Sequence, residues 1–119
     1  MKIPIGLIIV IYLVSPIAHA QTSPTFDCAK ASGEVEKLIC ADDELAALDR
    51  KMAEVYAKAV ESWSSESSEE VTKQRAMQRG WISGRNDCWK SDDVKACAVL
   101  AYRTRIAELQ IQSGQLMPS

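Results

Sequence analysis

The apolar residues of this chain recur at helical intervals over most of its length. Between residues 34 and 113 they stand three or four positions apart, Gly and Pro are scarce, and the alternation typical of strands is absent. The first such segment runs from Glu34 to Cys40, with Val35 and Ile39 along one side. The pattern predicts an all-α fold, a small helical bundle or hairpin with one short and three longer helices.

The second predicted helix begins at about Asp43 and ends at about Trp63. Its apolar residues form one stripe, which Tyr56 and Trp63 extend; the others are Leu45, Leu48, Met52, Val55, Ala59 and Val60. Asp42 precedes this stripe and is a typical N-cap residue. At a rise of 1.5 Å per residue the helix would be roughly 30 Å long, so we expect it to be the spine of the domain.

A serine-rich stretch, residues 62–68, interrupts the pattern and predicts the tip of a helical hairpin. Ser67 and Glu70 then have the spacing of a capping box at the start of a third helix, which is predicted from about Ser68 to Asp87. The positions of this helix that we expect to face the core are the apolar ones, Val71, Ala76, Met77, Trp81 and Ile82.

Two glycines, Gly80 and Gly84, lie four residues apart inside this third helix. Each weakens a helix by about 1 kcal/mol relative to Ala. The alternative is that the missing side chains let another helix approach closely. The sequence leaves both interpretations open.

The last predicted helix runs from about Val94 to Gln112, after the acidic pair Asp92 and Asp93, which supplies caps. The residues expected to face inwards are Ala101, Tyr102, Ile106 and Leu109. Residues 113–119 contain Gly and Pro and are expected to form a flexible tail.

The first twenty residues have the layout of a secretory signal peptide. Lys2 precedes an apolar run from Ile3 to Val14, and the small-residue pattern Ala18-His19-Ala20 ends the segment. The run is shorter than the roughly 20 residues that a membrane-spanning helix needs. We therefore expect residues 1–20 to be removed, residues 21–27 to form an extended leader, and the mature protein to be periplasmic or secreted without stable membrane insertion.

All four cysteines, Cys28, Cys40, Cys88 and Cys97, follow this segment. In an oxidising compartment an even number of cysteines predicts disulfide bonds, and four cysteines allow three pairings. Two pairs are close in sequence and each flanks an expected turn, which favours Cys28 with Cys40 and Cys88 with Cys97. A zinc site is not expected, because neither pair has the short spacing of a zinc knuckle and no histidine follows residue 20.

The charge and the residue inventory favour binding over catalysis. The chain has a formal charge of −2, and loss of Lys2 would leave −3, which argues against nucleic acid as a partner. The only histidine is His19, so histidine-based catalysis and a cofactor held by histidine are not expected in the mature protein. We therefore predict no enzyme activity and no cofactor.

Adjacent carboxylates leave one distant enzymatic alternative, a carboxylate-dependent hydrolase. The pairs are Asp42 with Asp43, Glu69 with Glu70, and Asp92 with Asp93. Each pair falls at a predicted helix start, where acidic residues cap the helix and favour the positive end of its dipole. Capping is therefore the preferred interpretation of all three pairs.

Aromatic and basic residues share a helix face at two places. Trp81 and Arg85 are four residues apart, and Tyr102 and Arg105 are three apart, so these four residues are candidates for a structural or a binding role. The preferred interpretation is that Trp81 belongs to the core and that a half-buried Arg85 pairs with a carboxylate, for which Asp49 and Glu36 are the candidates. Two other tryptophans, Trp63 at a loop edge and Trp89 beside a cysteine, are expected to stay partly exposed.

The segments around the cysteines resemble a known family. They are Phe26 to Ala31, Val35 to Cys40, Leu45 to Arg50, Tyr56, Gln78 to Cys88, and Cys97 followed by Tyr102 to Leu109. These residues are similar to the LprI-like family, a group of exported bacterial proteins with four cysteines that is associated with lysozyme inhibition. The resemblance implies one helical domain over residues 28–112.

Three hypotheses for the function follow. The first is an exported binding protein similar to LprI that inhibits a lysozyme-type muramidase or contacts another envelope protein. The second is a structural or stress-related module of the cell envelope without an enzyme target. The third is the hydrolase described above. Slowing of an added lysozyme would favour the first, and activity of the protein itself on peptidoglycan would favour the third.

Overall fold

In the computed structural model, residue 6 and residues 23–115 are described. The expected signal peptide therefore lies outside the described residues except for residue 6, as do residues 21–22 of the leader and residues 116–119 of the tail. The proposed cleavage and the outer domain boundaries stay predictions.

Four helices make up the described chain, and the predicted fold class is confirmed. They are α1 (Glu34–Ala41), α2 (Asp43–Ser64), α3 (Ser68–Asn86) and α4 (Val94–Gln112). Two short 3₁₀ helices, Cys28–Lys30 and Asp87–Lys90, precede α1 and join α3 to α4. No described residue belongs to a strand. The helix bounds agree with the predicted ones to within one residue.

Side-chain caps explain where the three longer helices begin. The Asp42 carboxylate accepts a hydrogen bond from the Leu45 amide at 3.0 Å, and the Asp93 carboxylate accepts one from Ala96 at 2.9 Å. The Ser67 hydroxyl accepts one from the Glu70 amide at 3.1 Å. Each bond satisfies a backbone donor that has no partner within its own helix.

The core lies mainly between α2 and α4, which pack against each other more extensively than any other pair of helices. Its buried members are Val35, Ile39, Leu45, Met52, Val55, Ala59, Trp63, Cys88, Ala98, Tyr102, Ile106 and Leu109. The periodic stripe of α2 therefore faces the core as predicted. Trp63 belongs to the core, as its place on the stripe predicts, and the partial exposure expected at the loop edge is wrong. It is only 4% exposed, because the end of α2 continues over the core.

The predicted inner face of α3 is wrong for three of its five apolar residues. Ala76 is exposed, and Met77 and Ile82 rank among the exposed large hydrophobic residues. Val71 and Trp81 are partly buried and pack against the core, as predicted. The buried residues of α3 are instead polar, namely Gln74, Gln78 and Arg85. Gln78 and Arg85 meet polar side chains of α2 and α4, as the site below describes. Gln74 donates a hydrogen bond to Glu70 of α3 itself.

The two glycines of α3 do not serve a close helix approach. A Cβ atom added at Gly80 or Gly84 would meet no atom within 4 Å outside the local helix backbone. Of the two interpretations left open by the sequence, the structure supports the one in which these glycines weaken α3.

Two disulfide bonds join Cys28 to Cys40 and Cys88 to Cys97, the pairing that the sequence favours. The first ties the 3₁₀ helix Cys28–Lys30 to the last turn of α1. The second ties the 3₁₀ helix Asp87–Lys90 to the first turn of α4. Each bond therefore fixes one connection between neighbouring helices.

Candidate functional site

A buried polar network connects α2, α3 and α4 near the centre of the domain. The Tyr102 hydroxyl donates a hydrogen bond to the Asp49 carboxylate at 2.9 Å and accepts one from the Arg85 guanidinium at 3.0 Å. The guanidinium and the carboxylate themselves approach to 4.0 Å, and both side chains are more than nine-tenths buried. The tyrosine hydroxyl thus lies between the two opposite charges.

The segment before the first 3₁₀ helix contributes further hydrogen bonds to this network. The backbone amide and the hydroxyl of Thr25 both donate to the second oxygen of Asp49, each at 2.7 Å. The Arg50 guanidinium donates to the backbone carbonyl of Ser23 at 2.9 Å. The Asp49 carboxylate therefore accepts three hydrogen bonds, which compensate for its removal from water.

Aromatic rings complete the surroundings of Arg85. Its guanidinium carbon lies 5.7 Å from the centroid of the Trp81 ring and 5.8 Å from that of Tyr102, distances typical of cation–π contacts. The two rings meet edge to face with centroids 5.2 Å apart. The Asn86 side-chain oxygen accepts from the Nε and Nη2 atoms of Arg85 at 3.1 and 2.8 Å. All three guanidinium nitrogens therefore have hydrogen-bond partners.

The environment of Tyr102 changes its acidity. Burial raises the pKa of the Tyr102 hydroxyl well above its usual value, and the neighbouring carboxylate of Asp49 raises it further, while the positive charge of Arg85 opposes the shift. The hydroxyl therefore keeps its proton at physiological pH and remains a donor to Asp49.

Arg105 lies apart from this network, in the contact between α3 and α4. Its Nε atom donates to the side-chain oxygen of Gln78 at 3.0 Å, and its Nη1 atom lies 3.5 Å from the Glu108 carboxylate. The Nη2 atom is buried without a hydrogen-bond partner. Of the five candidate residues, the structure thus brings Asp49, Trp81, Arg85 and Tyr102 together and places Arg105 separately.

Three participants were missed by reasoning from the sequence: Thr25, Gln78 and Asn86. Thr25 lies in a leader with no periodic pattern that would reveal a contact with Asp49. Gln78 carried a usable signal, because Gln74, Gln78 and Arg85 recur at helical spacing on one face of α3.

The adjacent carboxylates do not converge on a site within the described part of the chain. Asp42 caps α2 and accepts a 2.8 Å contact from the Lys95 ammonium, which holds the pKa of Asp42 below its usual value. Asp93 caps α4. Between residues 23 and 115, no three His, Cys, Asp or Glu residues are grouped so that they could hold a metal ion.

The surface offers an exposed aromatic residue and a groove. Trp89 is 56% exposed, which confirms the expectation that it stays partly exposed beside Cys88. A cavity of about 590 Å³ lies between the end of α3 and α4 and is lined by Trp81, the Cys88–Cys97 bond and Leu100, among others. Both features involve the connection between α3 and α4.

The fold and the site define a class of protein, the small disulfide-bridged helical domains in which buried charges connect the helices. Within this class the match is specific, since the model of the family described as "Lysozyme inhibitor LprI" covers residues 28–109. These residues include both disulfide bonds and all four helices up to Leu109. The chain belongs to the lysozyme inhibitor LprI family.

Individual relatives support this assignment. The chain is 33% identical over 94 residues to proteins named "Lipoprotein LprI" from Mycobacterium bovis and from two strains of Mycobacterium tuberculosis. The aligned region covers 76% of this chain and 45% of the relatives, so the chain spans less than half of their length. No solved structure matches the chain. Among the described helices, none has the length and apolar character needed to cross a membrane.

Proposed function

We propose that this protein is an exported, non-catalytic binding protein that inhibits a lysozyme-type muramidase. The observation that carries the proposal is the family match over residues 28–109, which includes nearly the whole helical domain. Relatives of the chain are named as lipoproteins, which supports a location outside the cytoplasm. The expected signal peptide and the two disulfide bonds favour the same compartment.

The chemistry of the side chains supports a role without catalysis. The only histidine of the sequence lies in the expected signal peptide, and all four cysteines are joined in disulfide bonds. The most buried carboxylate, Asp49, accepts three hydrogen bonds from within the domain, so its oxygens are occupied by structural contacts. A general acid or base must instead reach the reacting atoms of a substrate.

The charge of the protein supports a cationic partner. Without the first twenty residues the formal charge is −3. Opposite net charges speed the diffusional encounter of two proteins, while the tightness of the complex depends on a few desolvated contacts near the centre of the interface. An acidic inhibitor would therefore associate rapidly with a basic lysozyme.

A lysis assay tests the proposal. The oxidised protein, residues 21–119, is added to a suspension of bacterial cell walls with or without a basic lysozyme, and turbidity is followed. We expect the protein alone to leave turbidity unchanged and to slow clearing by the lysozyme in proportion to its concentration. Clearing by the protein alone would contradict the non-catalytic role. Unchanged lysozyme activity across a panel of lysozymes would contradict inhibition and would favour a structural module of the envelope.

A further inference from the structure

Trp89 is a large aromatic side chain at the surface, next to a disulfide-bonded cysteine. It lies in the 3₁₀ helix Asp87–Lys90 and is 56% exposed, whereas Trp63 is buried and Trp81 is partly buried. The preceding residue, Cys88, belongs to the core and is bonded to Cys97 of α4. The backbone under Trp89 is therefore anchored on both sides of the turn, which lowers the entropy that the residue would lose on binding.

Trp89 borders a cavity of about 310 Å³ between the first turn of α1 and the end of α3. The lining includes three carboxylates, Glu34, Glu36 and Asp87, and no Lys or Arg. Its remaining side chains include the small or neutral polar residues Ser32, Ser83 and Asn86. The cavity thus combines an aromatic wall with a concentration of negative charge.

A lysine of the protein itself contacts this wall from the rim. The ammonium of Lys90 lies 5.6 Å from the centroid of the Trp89 ring and 3.6 Å from the Asp87 carboxylate. Its side chain is 61% exposed, so the contact is loose and the ammonium can turn into solvent. The contact shows that one ammonium group can lie near the Trp89 ring and the Asp87 carboxylate at the same time.

The beginning of α1 borders the same cavity and by itself favours anions. That preference is already met within the chain, because Glu34 and Glu36 lie in the first turn of α1. Glu36 also accepts a hydrogen bond from the Ser32 amide at 2.9 Å. The charge that remains for a ligand is negative, since the three carboxylates exceed the Lys90 ammonium and the partial positive charge of one helix end together.

We propose that the Trp89 cavity receives a Lys or Arg side chain of a protein partner. The aliphatic part of that side chain would lie on the Trp89 ring, and its charged end would contact Glu34 and Asp87. This inference deepens the proposed function and rests on it only for the identity of the partner, a basic muramidase. The preference for a cation follows from the cavity alone.

The cation preference is tested without any muramidase. Uniformly labelled, oxidised protein is titrated with a blocked Gly-Arg-Gly peptide and, separately, with the same peptide carrying neutral citrulline in place of Arg. We expect a saturable shift of the Trp89 indole N–H resonance with the Arg peptide and a shift at least about tenfold smaller with citrulline. Equal shifts with both peptides, or shifts confined to other surfaces, would overturn the inference.

The partner is tested by variants in the lysis assay. Trp89→Ala and Trp89→Leu both remove the aromatic ring, and Trp89→Leu retains apolar bulk. The matched control is Ile111→Ala, which removes an exposed apolar side chain, 67% exposed, near the end of α4. We expect both Trp89 variants to weaken inhibition by at least about tenfold, as for a hot-spot residue, and the control to change it by less than about twofold.

The two experiments separate the inference from the proposed function. If the unaltered protein inhibits a lysozyme and both Trp89 variants inhibit equally well, the inference is wrong and the proposed function stands. If no lysozyme is inhibited but the Arg peptide binds at Trp89, the cation site stands and the proposed function is wrong. Thermal unfolding of each variant, followed by circular dichroism, verifies that the substitutions leave the fold intact.

Discussion

At the scale of single residues, the most demanding feature is the burial of opposite charges around Tyr102. Removing an ion from water costs several kcal/mol, and only good geometry with additional hydrogen bonds offsets that cost. Here the Asp49 carboxylate has three donors, and the Arg85 guanidinium has the oxygens of Tyr102 and Asn86 together with two aromatic faces. These residues therefore hold the helices in one specific arrangement.

Removal of the Arg85 charge should lower the stability of the protein. Arg85→Ala leaves the Asp49 carboxylate buried without its cation, and we expect the free energy of unfolding to fall by about 2–4 kcal/mol. Arg103→Ala is the matched control, since Arg103 also contacts a carboxylate but is 66% exposed, and there we expect a change below about 1 kcal/mol. Denaturant unfolding of both variants measures the difference. Equal losses would mean that Arg85 contributes no more than a surface ion pair.

The acidity of Tyr102 gives a prediction for alkaline pH. Because the folded-state pKa of Tyr102 lies above its unfolded value of about 10, the folded protein binds this proton more tightly than the unfolded chain. The associated stability is complete below about pH 10 and is lost as the pH rises from there towards the folded pKa. Tyrosinate absorbance of the mature protein should therefore show a late step that coincides with unfolding.

Two tyrosine variants test whether the late step in tyrosinate absorbance belongs to Tyr102. Tyr102→Phe should remove it, while Tyr56→Phe should retain it. A late step that persists in Tyr102→Phe would show that another group is responsible. Far-ultraviolet circular dichroism recorded during the same titration establishes whether ionisation and unfolding coincide.

At the scale of elements, the hydrophobic pattern predicts that α3 is a helix but predicts only in part which of its faces is buried. The helix itself was predictable, because its start at Ser67 and Glu70 and the lack of proline depend on local chemistry. Its inner face was predictable only in part, because Met77 and Ile82 outrank Gln78 and Arg85 in hydrophobicity and yet lie outside. Which face turns inwards depends on the polar groups of the neighbouring helices, here Asp49 and Arg105, and these are distant in sequence.

The glycines of α3 provide a stabilising substitution. Gly80→Ala and Gly84→Ala place a methyl group where no atom outside the local helix backbone lies within 4 Å, so we expect each to raise the free energy of unfolding by about 0.5–1 kcal/mol. Gly33→Ala is the control of opposite sign, because Gly33 has a φ of 82°, which an L-residue rarely adopts. Thermal unfolding midpoints of the three variants test the prediction. A lower midpoint for both α3 variants would contradict it.

At the scale of the whole molecule, much of the architecture was predictable from the sequence. The helix bounds could be predicted because capping residues mark the helix starts. The disulfide pairing could be predicted because each bond joins cysteines that are close in sequence. The pairing of Arg85 with Asp49 could be proposed, because a semi-buried arginine needs a carboxylate. The role of Thr25 could not, since it depends on the path of an aperiodic segment across the finished bundle.

The net charge gives a prediction for the association with a basic lysozyme. Screening acts over about 8 Å at physiological ionic strength, so the association rate should fall between low and high salt. The dissociation rate should change much less, because it depends on desolvated contacts. Stopped-flow or surface-plasmon measurements at two salt concentrations separate the two rates. An association rate that does not depend on salt would mean that the acidic charge of the domain has no part in the encounter.

The two disulfide bonds also have a consequence for how the protein acquires its structure after export. The native pairs are separated by 12 and 9 residues, whereas any crossed pair must close at least the 48 residues from Cys40 to Cys88. Each doubling of loop length costs about 0.6 kcal/mol of closure entropy, so the reduced chain meets its native partners first. Oxidative folding should therefore proceed through one-bridge intermediates that are already native, and with little need for disulfide isomerisation.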